Sequence, residues 1–191
     1  MRSQLVWTAR STLDRPTGPF ACGLPTMAPT CRRHTGFVRA LAVGKDGALY
    51  SGSHDHTIRV WSGEDGTHLR TLVGHTDSVF LLAVAPDGRV YSVSKDKTIR
   101  VWSADDGAHL QTLGGHTYSV DALVVGSDGK LYSGSTDTVR VWSSVNGALL
   151  HSIRGSVGQV LALALGYDGT LYSGGIANLM NFESRSYLEM W

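Results

Sequence analysis

Short apolar runs separated by turn-forming residues recur along this chain. The first run of each unit is VRALAV (38–43), VFLLAV (79–84), VDALVV (120–125) and VLALAL (160–165). Runs so short and so continuously apolar predict strands buried on both faces, since a buried helix needs roughly ten residues or more. Asp-Gly follows at 46–47, 87–88, 128–129 and 168–169. Between two strand runs this pair signals a hairpin, because the turn needs φ > 0 and glycine adopts it freely. A second strand then reads ALYSGS, RVYSVS, KLYSGS or TLYSGG. A tight turn carrying Asp55, Asp96 or Asp137 leads to a third strand that ends in tryptophan. A further hairpin pair, Asp65-Gly66, Asp106-Gly107 or Asn146-Gly147, precedes a fourth strand, HLRTL, HLQTL or LLHSI.

The repetition is close to literal. Ile58-Arg59-Val60-Trp61, Ile99-Arg100-Val101-Trp102 and Val139-Arg140-Val141-Trp142 are near-copies, with their tryptophans 41 and then 40 residues apart. A fixed period of this length means one supersecondary unit used several times, and such a unit buries its apolar faces only by stacking on its neighbours. The predicted fold is all-β, with β-propeller-type blades of four antiparallel strands, three complete and one partial. A β-sandwich has similar strand spacing but no reason to repeat its sequence unit by unit. The chain divides into an irregular N-terminal segment (1–33), the repeats (34–175) and a divergent C-terminal tail (176–191).

At these positions the sequence resembles the WD-repeat, or β-transducin-like, family. Gly74-His75 and Gly115-His116, the 21-residue step from each His to its Asp, and the Trp five or six residues later carry the resemblance. The family's Trp-Asp pair is Trp-Ser here, at Trp61-Ser62, Trp102-Ser103 and Trp142-Ser143. The resemblance implies a His–Ser–Asp–Trp hydrogen-bonded tetrad in each blade. By motif position the sets are His34, Ser51, Asp55, Trp61; His75, Ser92, Asp96, Trp102; and His116, Ser133, Asp137, Trp142. Ser53, Ser94 and Ser135 lie on the same strand face as rival serines. His, Ser and Asp together also compose a hydrolase triad. A catalytic site is built once, however, whereas this set occurs once per unit with a Trp beside it, so it reads as structural and no catalytic residue is assigned. The third unit has one residue fewer between Asp137 and Trp142, which tightens its turn and threatens the contact between Asp137 and its His.

The pattern fails in the fourth unit. Ser156 stands where His is expected and Ala177 where Asp is, and no Ile-Arg-Val-Trp follows. Three explanations compete: a fragment of a longer array, a small propeller in which Leu5-Val6-Trp7 supplies the missing third strand, or a chain that pairs with another to complete a ring. An open array leaves strand edges and one blade face uncovered, which favours self-association.

Charge and composition exclude more than they suggest. The net charge of +1 gives no reason to expect nucleic acid or an anionic membrane as partner. No apolar run approaches the ~20 residues of a spanning helix. The only cysteines, Cys22 and Cys31, lie outside the repeats and point to a reducing compartment, the cytoplasm with the nucleus as alternative. The first 33 residues hold five arginines and one acid. That faintly resembles a transit peptide, but the segment has no apolar core of a secretory signal. Cys22, Cys31 and His34 are too few for a closed zinc site, and His54-Asp55-His56 reads as a solvated turn, so neither metal nor cofactor is expected. Arg59, Arg100 and Arg140 form a row along equivalent strands that reads as solvated or packed through its aliphatic stems, not as a nucleic-acid stripe.

The family resemblance implies that the His-bearing loops and the Asp turns share one face, which docks proteins or peptides. The residues there that differ between units are Phe37, Arg39, His54, His56, Asp77, Phe80, Lys95, Lys97, Tyr118 and Asp121. An aromatic such as Phe80 or Tyr118 ringed by Asp77, Asp121 and Lys95 is an interface hot-spot pattern. The expected function is a non-catalytic protein-interaction scaffold or adaptor. The alternatives are a fragment without independent function and an enzyme or ligand-binding propeller using its central channel, although the inner strands offer mostly Ala, Leu and Val.

Overall fold

The computed structural model describes residues 33–177 and 185–190; for Asp137, residues 155–157, Ala177 and residues 185–190 it describes the backbone alone. Among the described residues there is no helix. Blade 1 consists of β1 (Val38–Val43), β2 (Leu49–Ser53), β3 (Thr57–Trp61) and β4 (His68–Val73), hydrogen-bonded in sequence order. Blade 2 repeats the arrangement with β5 (Val79–Val84), β6 (Arg89–Ser94), β7 (Ile99–Ser103) and β8 (His109–Leu113). All pairings are antiparallel.

The Asp-Gly pairs build the turns. Gly47, Gly88, Gly129 and Gly169 have φ of 82°, 87°, 75° and 85°. Each preceding aspartate accepts a hydrogen bond from the backbone two residues on, as Asp46 Oδ1 does from Ala48 N at 3.1 Å. This local bond fixes the turn without help from the rest of the fold.

Blades 3 and 4 run together. β9 (Val120–Val125), β10 (Lys130–Ser143), β11 (Leu149–Leu165), β12 (Leu171–Ala177) and β13 (Arg185–Met190) form one five-stranded sheet. The first half of β10 pairs with β9 and the second half with β11. Yet Trp142 Nε1 lies 2.8 Å from Ser133 Oγ, nine residues earlier. Nine extended residues span roughly 30 Å, so the chain doubles back inside β10. Removing one turn residue relative to blades 1 and 2 thus leaves the two strands of the hairpin continuous. In β11 the Gly-His loop is missing, so the outer strand of blade 3 continues into the inner strand of blade 4.

Two expectations change. The boundary at 175 falls inside β12, and 185–190 pairs with it from Tyr172↔Met190 to Ala177↔Arg185, giving blade 4 a third strand that no repeat motif announces. The first strand of each unit is also not buried on both faces. The buried strands are the second ones: β2 and β6 are buried along all but their first residue, whereas β5 and β9 alternate between buried and half-buried positions. The second strand lies inside each sheet with a partner on either side, while the first lies at its edge. Leu5-Val6-Trp7, Cys22 and Cys31 lie outside the described residues.

The core lies between blades. Val79 and Leu82 of β5 join Tyr50, Ile58, Val60 and Leu72 of blade 1, with Trp102 completing the cluster. Val120 of β9 joins Val93, Ile99 and Val101 of blade 2 with Trp142, and Val160 of β11 joins Val139 of blade 3.

Candidate functional site

The structure brings His34, Ser51, Asp55 and Trp61 into one polar chain. His34 Nδ1 is 2.9 Å from Asp55 Oδ2, His34 Nε2 is 2.8 Å from Ser51 Oγ, and Trp61 Nε1 donates to Ser51 Oγ at 2.8 Å. Blade 2 repeats this: His75 Nδ1 to Asp96 at 2.7 Å, His75 Nε2 to Ser92 at 2.8 Å, and Trp102 Nε1 to Ser92 at 2.8 Å. A carboxylate can only accept, so the ring proton sits on Nδ1 and the serine hydroxyl donates to Nε2 while accepting from the indole. Every buried polar atom of these two four-residue networks is then satisfied.

Each aspartate gathers more than its histidine. Asp55 also accepts from Thr57 Oγ1 at 2.6 Å, Thr57 N at 3.1 Å and Thr35 N at 2.9 Å, and Asp96 does the same with Thr98 and Thr76. Burial pushes both carboxyls up, but the bonds from Thr57 or Thr98 and from the histidines outweigh it and hold both well below the usual carboxylate range. The threonines were legible as Asp-x-Thr in the first two units and went unread. So did His68 and His109, whose rings stand edge-on to Trp61 and Trp102 at 5.3 and 5.2 Å between centroids.

Blade 3 departs from this pattern. His116 Nε2 is 2.7 Å from Ser133 Oγ, and Trp142 donates to the same oxygen. Among the described residues, however, the buried His116 Nδ1 has no hydrogen-bond partner. Burial, with the Arg140 guanidinium second, lowers the imidazole to about 4. The Asp137 side chain is not among those described.

The rival serines have other work. Ser53 and Ser94 accept from the backbone of Asp55 and Asp96 at 3.1 Å, while Ser94 and Ser135 donate to the carbonyls of Asp77 and Ser119. The tips of these turns place His56 and Lys97 at φ of 67° and 68°. Arg59 is buried rather than solvated. The guanidinium of Arg100 covers Gly74, where a methyl group would meet it at 2.5 Å, and that of Arg140 covers Gly115 in the same way, which favours glycine before His75 and His116.

Above these networks the His loops and Asp turns are stitched into one surface. His54 N donates to Phe37 O at 2.9 Å and Lys95 N to Ser78 O at 3.0 Å. Phe37 is 78% exposed and stands edge-on to His54, with ring centroids 5.8 Å apart. Arg39, His56, Lys95, Lys97 and Tyr118 are exposed. The aromatic center shifts from the one expected: Phe80 is half-buried against the core of blades 2 and 3. Asp121 is tied to Gln159 Nε2 at 2.6 Å, and Asp77 Oδ1 to the Ser78 amide at 2.6 Å. The displayed aromatics are Phe37 and Tyr118.

The architecture is that of stacked four-stranded propeller blades. The family model "WD domain, G-beta repeat" matches residues 26–62, 66–103 and 107–143, more than half of the chain. The chain belongs to the WD40 repeat family. It is similar to the computationally designed Ika4 protein, with 32% identity and a TM-score of 0.71 over 83% of this chain and 92% of that one. The computationally designed Ika8 protein matches with the same identity and TM-score but is covered over 46% of its length. The structure of U3-55K matches at 26% identity and a TM-score of 0.70, over 82% of this chain and 53% of that one. The chain thus spans about half the length of the Ika8 and U3-55K chains.

Proposed function

We propose that the chain is a non-catalytic interaction platform whose loop face binds another protein or a peptide. WD40 repeats generally mediate protein–protein interaction. The observation that carries the reading for this chain is Phe37, an aromatic 78% exposed on a loop that the His54–Phe37 backbone bond holds in place. Immobilising an aromatic before binding lowers the entropy that binding must overcome, which is how interface anchors contribute. Tyr118 stands on the corresponding loop of blade 3, and Lys95 and Lys97 lie on the turn of blade 2. Exposed aromatics together with lysines suit an extended peptide or loop carrying apolar and acidic groups. The compartment this reading implies is the cytoplasm or nucleus.

A second reading has its own observation. Because the chain spans about half the length of the Ika8 and U3-55K chains, this face would be one part of a larger composite surface.

The test is affinity capture of partners with the full chain and with Phe37→Ala, Tyr118→Ala and Lys95→Glu variants of unchanged melting temperature. The reading expects the same partners to be lost from the variants. Undiminished recovery by all three overturns it.

A further inference from the structure

The four inner strands carry the same apolar triplet toward the preceding blade: Val38, Leu41 and Val43; Val79, Leu82 and Val84; Val120, Leu123 and Val125; Val160, Leu163 and Leu165. In β5, β9 and β11 the triplet packs on the blade before it. Val79 is 0% and Leu82 8% exposed. In β1 no other described residue covers the same positions: Val38 is 48%, Leu41 64% and Val43 67% exposed. Trp61, unlike the buried Trp102 and Trp142, is half-exposed.

The chain itself shows what such a triplet packs against. Val79 rests on Gly52, where a Cβ would meet Val79 Cγ1 at 2.7 Å, and Val160 rests on Gly134, where it would meet Cγ1 at 2.5 Å. The seat is the Tyr-Ser-Gly segment of the second strand in blades 1 and 3; in blade 2 Val93 takes the glycine position and Val120 packs beside it. Blade 4 carries the same segment as Tyr172-Ser173-Gly174. Gly52 and Gly134, under their valines, are buried, whereas Gly174 is half-exposed. Among the described residues, one chain therefore presents both an unfilled seat on blade 4 and an unseated triplet on blade 1.

We infer that a second copy of this chain covers the β1 face, with Val38 of each copy seated on Gly174 of the other. Head-to-tail complementarity of this kind closes when two copies meet through two equivalent contacts about a two-fold axis. The doubled length also corresponds to that of the Ika8 and U3-55K chains, of which one copy covers about half. This contact does not depend on the Phe37 face.

Sedimentation of the full chain tests it. The expected species has twice the 20.5 kDa mass of one chain. Val38→Asp with Leu41→Asp, and separately Gly174→Asp, which sets a charge under the incoming valine, give single-chain mass with unchanged near-ultraviolet circular dichroism. A mixture of the two variants regains the double mass, because each retains the face that the other has lost. Single-chain mass for the unaltered protein at every concentration overturns the inference, as does a double mass that neither variant reduces. Should the aspartate variant fail to fold, thiol labelling of Val38→Cys in a Cys22→Ser, Cys31→Ser background decides. Protection that rises with concentration supports the second copy; constant labelling, or protection independent of concentration, overturns it.

Discussion

The indole of Trp102 and the hydroxyl of Ser92 meet at 2.8 Å inside blade 2, and His75 reaches the same oxygen from the other side. One serine thus satisfies two buried rings. Ser92→Ala leaves the Trp102 indole N–H and the His75 Nε2 without a partner, and a buried orphan costs about 1–3 kcal/mol. Urea denaturation is expected to show a loss of that size or somewhat more. Ser62→Ala, whose hydroxyl meets the Glu64 and Asp65 amides and the Asp65 carboxylate on an exposed turn, is expected to stay within about 0.5 kcal/mol of the parent.

Acid should destabilise the blades in a defined window. The His116 pKa falls from 6.5 to about 4 on folding. The folded state therefore keeps the ring neutral while the unfolded chain takes up a proton. That contribution is complete above pH ~6.5 and is lost as pH falls toward 4, on the order of 3 kcal/mol at its limit. The buried His75 is shifted in the same direction. The lowered Asp55 and Asp96 extend the loss below their ordinary value of 3.8. Urea midpoints between pH 7.5 and 4 should decline steadily, and His116→Gln should flatten the slope between pH 6.5 and 4.

Lys97 occupies a conformation that glycine adopts more easily, with φ of 68°. The left-handed region costs an L-residue about 1–2 kcal/mol, against a loss of about 0.5–1 kcal/mol from glycine's freedom when unfolded. Lys97→Gly should raise the melting temperature slightly, by a net of about 0.5 kcal/mol. Gly88→Ala at φ of 87° should lower it, and calorimetry of the two variants tests the sign.

Gly134 lies under Val160, and a Cβ there would also come within 3.1 Å of Val160 Cβ and 3.3 Å of Ala122 Cβ. These are stiff, branched or backbone-proximal atoms that cannot swing aside. Gly134→Ala should cost about 1–3 kcal/mol by overpacking the joint between blades 3 and 4. Hydrogen exchange should show the loss concentrated in β9 and β11.

Local chemistry was readable because it is local. Asp-Gly turns, apolar strand runs and the fixed step from His to Asp to Trp act over a few residues or repeat identically, so the order of strands within blades 1 and 2 and the grouping of His75, Ser92, Asp96 and Trp102 were present in the sequence. The extra Asp partners Thr57 and Thr98 were also there, two residues past each Asp. Other features had no local signal. β13 carries no motif and is defined only by its pairing with β12. Phe80 and Tyr118 look alike as loop aromatics, and only the neighbouring blade distinguishes the half-buried ring from the displayed one.

The sequence by itself determined the unit: four strands, their turns, and a polar network that needs no neighbour to form. Tertiary structure alone decided burial between units. VRALAV and VFLLAV are equally apolar, yet Val38 lies open and Val79 is enclosed. Burial is set by the surface that stands opposite a side chain, and no residue encodes that surface in its own neighbourhood.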